Sequence, residues 1–290
     1  MPPPPPVVVP GLGALAGAYE ALLCDVWGVL HDGVRGFPEA VEALRRFKDL
    51  GGAAVLISNS PRPSYDVVAQ LRALGVPDGA WSAFVTSGDV TRQLLAARAD
   101  QRAWAIGPSR DEVIYKGLAL RFASAADADF ISCTGLADDE GETPEDYRRS
   151  LAAAAARGLE MICANPDRQV QRGDRLIFCA GALADLYASL GGVVVMAGKP
   201  FAPIYEAALA AAAQALGRPL DRSRVLAVGD GVATDVAGAM NAGLDCLFIA
   251  SGIHVAEAAH ADGRLHSEGV ARVLAAARAE ARYALASLRW

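Results

Sequence analysis

Short apolar runs alternate with helical patterns in two stretches of the chain. Ala21 to Trp27 stays apolar up to Asp25 and reads as a strand. Pro38 to Leu50 reads as a helix, because proline suits a first turn and Gly51-Gly52 stop it. Ala53 to Ile57 is a second strand, and Ser64 to Leu74 a helix closed by Gly75. The alternation returns near the other end. Strands are expected at Val193 to Met196, Val225 to Val228 and Cys246 to Ile249. Helices are expected at Phe201 to Leu216 and Thr234 to Ala242, with a long Ala/Arg helix from Glu268 to Leu288. Continuous apolar strands alternating with helices predict a parallel sheet covered on both faces.

Between these halves the texture changes. Strands are predicted at Ala103 to Ile106, Phe130 to Cys133, Met161 to Ala164 and Leu176 to Phe178. A helix starts at Thr143-Pro144-Glu145-Asp146, where Thr143 can cap and Pro144 suits the first helical position. The segment reads as a second α/β layer inserted into the first. The expected division is a core of residues 1–80 and 191–290, an inserted domain of residues 81–190, and a proline-rich, polyproline-like tail at residues 1–10.

Composition narrows the classes of function. Hydrophobic residues make up 53% and charged residues 21%, which excludes disorder. The 27 basic residues face 33 acidic ones, for a net charge of -6 with no basic run, which argues against nucleic-acid binding. No stretch reaches about 18 strongly apolar, uncharged residues, so no membrane partner is expected. The amino terminus lacks the charged and apolar regions of a secretory signal. Five cysteines, an odd number with no C-x-x-C pair, read as reduced thiols and predict a cytoplasmic location. Gly11 to Gly17 imitates a dinucleotide loop, but it precedes the first strand instead of following it.

In an open parallel sheet, ligands bind outside the carboxyl ends of the strands. Strand one ends in Asp25 and strand two in Ser58-Asn59-Ser60. The run at 193–196 leads into Gly198-Lys199-Pro200, and the strand at 225–228 into Gly229-Asp230, with Asp235 five residues on. Singly, each has a plain reading as a turn residue, a helix cap or a solvated lysine. Jointly they suit phosphoryl transfer. Carboxylates hold Mg²⁺, a hard cation that prefers oxygen. A lysine and a hydroxyl bond phosphoryl oxygens, and one carboxylate can act as nucleophile.

With these residues in this order, the chain resembles the haloacid-dehalogenase superfamily of phosphohydrolases, most closely class IIA, the NagD-like and p-nitrophenyl-phosphatase-like proteins. The motifs appear as Asp25-Val26-Trp27-Gly28-Val29-Leu30, Leu56-Ile57-Ser58-Asn59-Ser60, Gly198-Lys199-Pro200 and Gly229-Asp230-Gly231-Val232-Ala233-Thr234-Asp235. Thr86-Ser87-Gly88 resembles the entry to the inserted cap, and Cys163-Ala164-Asn165-Pro166-Asp167 a cap segment that faces the active site in this branch. The resemblance implies an α/β fold with a Rossmann-like parallel-sheet core and an inserted α/β cap of the C2 type. It implies Mg²⁺-dependent hydrolysis of a small phosphorylated metabolite through an aspartyl-phosphate. Asp25 would be nucleophile and metal ligand, and Lys199 its catalytic partner. Ser58, Asn59, Asn165 and Asp167 would bind substrate. Asp230, Asp235 and the backbone carbonyl of Trp27 would complete the metal site, with Asp235 orienting it. The branch often dimerises through the cap, so a homodimer is a further expectation.

Trp27 departs from the pattern. The family usually has a second aspartate there, which protonates the leaving alcohol and then activates water. Indole N–H is a donor only and cannot cycle a proton. Loss of a general acid/base costs about 10²–10⁴-fold. Three outcomes stay open: His31 or Asp32 substitutes, good leaving groups are preferred, or the protein binds a phospho-ligand with little turnover. A dehalogenase of the same fold would not need Asp230 and Asp235. A receiver domain would leave the 81–190 insertion without a role.

Overall fold

A computed structural model describes residues 5–172, 175–260 and 264–290. The chain begins with β1 (Val7–Val8), β2 (Ala21–Asp25), α1 (Pro38–Asp49), β3 (Ala53–Ser58), α2 (Ser64–Ala73), β4 (Ala83–Thr86) and α3 (Ser87–Ala96). It continues through β5 (Arg102–Ile106), β6 (Arg121–Phe122), β7 (Phe130–Cys133), α4 (Arg148–Ala156) and β8 (Glu160–Cys163). Next come β9 (Gln169–Arg172), β10 (Arg175–Phe178), α5 (Ala180–Ser189) and β11 (Val193–Met196). The last elements are α6 (Ala202–Leu216), β12 (Val225–Gly229), α7 (Ala237–Ala242), β13 (Asp245–Ile249), α8 (Val255–Ala258), α9 (Ser267–Ala276) and β14 (Tyr283–Leu285).

Two compact units form. The first comprises residues 1–58, 65–85 and 199–290, and the second 59–64 and 86–198. The second unit thus starts later and ends later than the expected 81–190, and it also takes in a short piece after β3.

The first unit holds a seven-stranded sheet in the order β1-β14-β13-β12-β2-β3-β4. The described pairings in it are parallel, including Cys24↔Leu56 and Val228↔Cys24 on the two sides of β2. Every residue of β2 and β12 is buried, as central strands covered on both faces require. Helix α1 turns Ala40, Val41, Leu44 and Phe47 onto this sheet and places charge on its other face. Burying a side chain like Phe47 stabilises by roughly 1.5–3 kcal/mol.

The second unit holds a five-stranded sheet, β11-β8-β7-β5-β6, all of whose pairings are parallel, and a separate antiparallel ribbon of β9 and β10. Ile131, Met161, Leu151, Leu183 and Tyr187 fill its main core. Helix α3 opens on a reciprocal cap. Thr86 Oγ1 accepts from Asp89 N at 3.0 Å, and Asp89 Oδ2 accepts from Thr86 N at 2.9 Å. The segment at 144–147 carries the same device between Thr143 and Asp146 before α4 begins.

Four expectations need correction. Val193–Met196 does not join the sheet of Val225–Gly229; β11 pairs with β8 in the second unit, Val193 opposite Glu160 and Met196 opposite Cys163. The long carboxyl-terminal helix stops at Ala276, Arg278 turns left-handed at φ 53°, and the chain re-enters the first sheet as β14. The helix expected from Thr234 begins with a wider π-type turn over Val232–Val236. Of the tail, Met1 to Pro4 lie outside the described residues, whereas Val7–Val8 pair in parallel with Tyr283 and Ala284.

No helix among the described residues is long and apolar enough to cross a membrane. All five cysteines are free and buried.

Candidate active site

The site grows from the carboxyl edge of the first sheet. Asp25 is the last residue of β2, and Asp230 follows directly on β12, its hydrogen-bonded neighbour. Ser58 ends β3 on the other side, one residue beyond the Ile57↔Asp25 pair. Three adjacent strands therefore deliver a carboxylate, a second carboxylate and a hydroxyl to one edge. Lys199 comes from the loop after β11 and Asp235 from the π-type turn after β12, and both meet this edge.

Lys199 Nζ donates to Asp25 Oδ1 at 2.5 Å and to Asp235 Oδ1 at 2.8 Å, and all three side chains are buried. The other oxygen of Asp235 accepts from Gly231 N at 3.0 Å and faces the Thr234 hydroxyl at 3.2 Å. Asp235 thus has both oxygens engaged by the protein. Asp230 Oδ2 accepts from Ile253 N at 2.7 Å. The Tyr205 hydroxyl donates to the backbone carbonyl of Asp235 at 3.3 Å and braces the π-type turn from behind.

Two glycines allow this packing. At Gly28 φ is +83°, and an added Cβ would lie 2.4 Å from Asp230 Oδ2. At Gly252 it would lie 1.7 Å from the same oxygen. Any side chain at either position would displace the carboxylate.

Electrostatically the cluster carries too little positive charge. Burial pushes the Asp25, Asp230 and Asp235 carboxyls up to about 6, each raised further by a neighbouring carboxylate. Burial works against the Lys199 ammonium, but Asp235 and Asp25 outweigh it and hold its pKa well above the ordinary lysine value. Three carboxylates face one ammonium, and one ligand oxygen from each of the three lies within 4.8 Å of the others. Buried charge of one sign is tolerated when it is paired or coordinates a metal. The oxygen-only donor set suits a hard divalent cation, so these residues fit one.

Trp27 stands two residues beyond Asp25 and is 53% exposed. Its loop is closed by Gly28 N donating to His31 O at 2.8 Å, and the His31 ring packs edge-on to the indole at 5.2 Å. His31 is buried, and its Nδ1 accepts from Gly33 N at 3.0 Å. Burial holds its pKa below the usual histidine value against the opposing pull of Asp32. Asp32 Oδ1 accepts from Val34 N and Arg35 N at 2.9 and 2.8 Å, a turn that holds its carboxyl below the usual range. The expected substitutes for the missing aspartate are thus a packed ring and an exposed turn residue.

The other expected substrate contacts belong to the second unit. Asn59 Nδ2 donates to Asp167 Oδ1 at 3.0 Å, and Asn165 Oδ1 accepts from Asp167 N at 3.0 Å. Gly198 lies against them: an added Cβ would sit 2.5 Å from Asn59 Oδ1 and 2.8 Å from Ser87 Oγ. Asn59, Asn165 and Asp167 therefore form one cluster, and Asn165-Pro166-Asp167 is also a turn. Arg168 is paired with Asp185. The acidic stretch from Asp138 closes on itself, Asp138 Oδ1 accepting from Glu140 N and Gly141 N.

Sequence reasoning missed Gly252-Ile253, whose backbone N–H holds Asp230, and Tyr205, which braces Asp235. The available signal for the first was the Ser251-Gly252 pair just after an apolar strand.

Comparison with known proteins follows the same lines. Residues 22–121 match a family model described as haloacid dehalogenase-like hydrolase, and residues 196–277 match a second, HAD-hydrolase-like model. The crystal structure of a haloacid dehalogenase-like hydrolase from Brucella suis 1330 is 46% identical, covers 97% of this chain and 100% of its own, and superposes with a TM-score of 0.82. The 5'-nucleotidase YutF of Bacillus subtilis is 29% identical over 240 residues, 81% of this chain and 88% of the relative. The ribonucleotide monophosphatase NagD of Escherichia coli K12 is 29% identical over 239 residues, 80% of this chain and 88% of the relative.

Proposed function

Because the chain belongs to the haloacid dehalogenase-like hydrolases, in class IIA, we infer that it is a phosphoric monoester hydrolase acting on a small phosphorylated metabolite. The carrying observation is the buried constellation in which Lys199 bridges Asp25 and Asp235 beside Asp230.

In this reading a carboxylate oxygen of Asp25 attacks phosphorus, the bond from phosphorus to the ester oxygen breaks, and an aspartyl-phosphate forms. Water then attacks phosphorus and frees the Asp25 carboxylate. Lys199, fixed by two carboxylates, keeps Asp25 oriented and supplies positive charge to the phosphoryl oxygens. The Ser58 hydroxyl bonds the same oxygens. Asp25, Asp230 and the carbonyl of Trp27 would hold Mg²⁺. Asp235 acts by orienting, since its two oxygens already receive Lys199, Gly231 and Thr234. When bound, the Mg²⁺ would offset charge on the phosphoryl group. Asn59, Asn165 and Asp167 are the second unit's candidates for holding the organic part of the substrate. The buried free thiols support the expected cytoplasmic location.

The test is steady-state hydrolysis of p-nitrophenyl phosphate with Mg²⁺, alongside an Asp25→Asn control. Turnover well above that control is expected. Absence of turnover above it on any phosphate monoester would sink the reading. Trp27 favours one alternative, a phospho-ligand binder with little turnover, which would bind inorganic phosphate and Mg²⁺ without hydrolysing any ester.

A further inference from the structure

The Trp27 indole is the side chain that this reading leaves without a task. The other three tryptophans, Trp81, Trp104 and Trp290, are buried or half-buried, while Trp27 is 53% exposed. An exposed indole beside a polar, buried cluster is unexpected on hydropathy alone.

The ring is nevertheless firmly seated. Its backbone bridges to His31, which bridges in turn to Gly36. The His31 ring meets it edge-on. Gly33, at φ +86°, lies so close that an added Cβ would be 2.3 Å from the far edge of the indole. A glycine in a left-handed turn and a buried histidine are thus given over to fixing one exposed aromatic surface.

We propose that the enzyme selects phosphate esters whose leaving group is planar and departs without a proton, namely aryl and enol phosphates in preference to alkyl phosphates. The proposal rests on Asp25 as nucleophile and names the substrate class of that site. Two observations carry it. First, the side chain in the proton-donor position has no proton to exchange. Of the neighbouring polar groups, Asp32 is taken up by Val34 N and Arg35 N, and His31 is buried, its Nδ1 accepting from Gly33 N and its ring packed edge-on to the indole. Second, the replacing side chain is a flat, fixed, solvent-facing ring of the kind that stacks on planar ligands.

The chemistry balances without an acid. The Asp25 oxygen forms a bond to phosphorus as the ester bond breaks, and the electron pair leaves with the departing oxygen as an aryloxide or enolate. In the second step water adds to phosphorus, its proton passes to solvent, and the Asp25 carboxylate is released. Only the acidity of the leaving group drives the first step, so rates must track it.

The experiment measures kcat/KM of the Mg²⁺-loaded enzyme for a series of substituted phenyl phosphates, for alkyl phosphates and for acetyl phosphate. A steep rise with leaving-group acidity is expected, with alkyl esters at least about 10²-fold below p-nitrophenyl phosphate. Trp27→Asp should raise alkyl-phosphate turnover by about 10²-fold and flatten the dependence. Trp27→Leu should raise KM for aryl esters about 2- to 10-fold and move acetyl phosphate, which carries no ring, much less. A shallow dependence in the unaltered enzyme overturns the proposal, and one that steepens in His31→Ala does so by revealing His31 as proton donor. Equal losses on aryl and acetyl phosphate in Trp27→Leu would overturn the stacking. The unaltered enzyme's series decides the proton question even if both variants fold poorly. Failure of the hydrolase reading looks different: no ester in the series would exceed the Asp25→Asn control.

Discussion

Lys199 is one of three lysines among 27 basic residues, and its geometry explains why arginine does not stand there. A single Nζ donates to Asp25 and Asp235 from two directions, which an ammonium can do and a planar guanidinium cannot reproduce in the same space. Lys199→Arg is therefore expected to lose most phosphatase activity in a p-nitrophenyl phosphate assay. Lys199→Met should destabilise the metal-free protein by about 3–5 kcal/mol in urea unfolding, because it leaves buried carboxylates unpaired. Lys48 also has a role that composition hid, since its ammonium donates to the carbonyls of Gly79 and Trp81 at 2.8 Å. At the opposite edge of the sheet, buried Glu20 accepts from Arg218 at 2.7 Å and from Asp221 N at 2.8 Å, which holds its carboxyl below the usual value. A depressed carboxylate stabilises the fold above its unfolded pKa, about 4.3, and loses that contribution as pH falls through the lower folded value. Glu20→Gln should thus flatten the acid limb of a stability-against-pH curve and change little between the variant's own pH 6 and pH 8.

At the scale of elements, the apolar runs of β2, β3, β12 and β13 were readable because a strand buried on both faces has no other composition. The partner of a strand was not readable. Val193–Met196 has the apolar sequence of a core strand, and only pairing with Glu160–Cys163 assigns it to the second sheet. The carboxyl-terminal helix shows the reverse failure. Alanine and arginine favour helix by a few tenths of a kcal/mol per residue, a weak preference beside a parallel pairing with β13 that continues the sheet. The break falls at Arg278, a non-glycine residue at φ 53°. Left-handed backbone costs such a residue about 1 kcal/mol, so Arg278→Gly is expected to stabilise by up to that amount in urea titration. The motif residues were legible because each ends an apolar strand or comes shortly after one, whereas Ile253 acts through its backbone N–H, which any side chain can provide.

For the molecule as a whole, the first unit folds around three carboxylates and one ammonium, so its stability should depend on a bound divalent cation. Chelation is expected to lower Tm, and Asp230→Asn should shrink the difference between metal-loaded and chelated protein. A calorimetric scan with and without Mg²⁺ checks both.

The edge of the seven-stranded sheet has a consequence of another kind. In β1, Val7 N and Val9 N donate inward, to Arg282 O and Ala284 O at 3.0 and 3.1 Å. The alternate positions, which face outward, are Pro6, Val8 and Pro10, and two of these have no N–H to offer. An incoming strand would find one donor where a valine-rich edge would present three. The prolines thus act as a guard against aggregation, blunting a border on which another chain could nucleate. Removing residues 1–10 would uncover the valine-free but unguarded border of Tyr283–Leu285, and light scattering on warming should rise earlier than in the 290-residue chain.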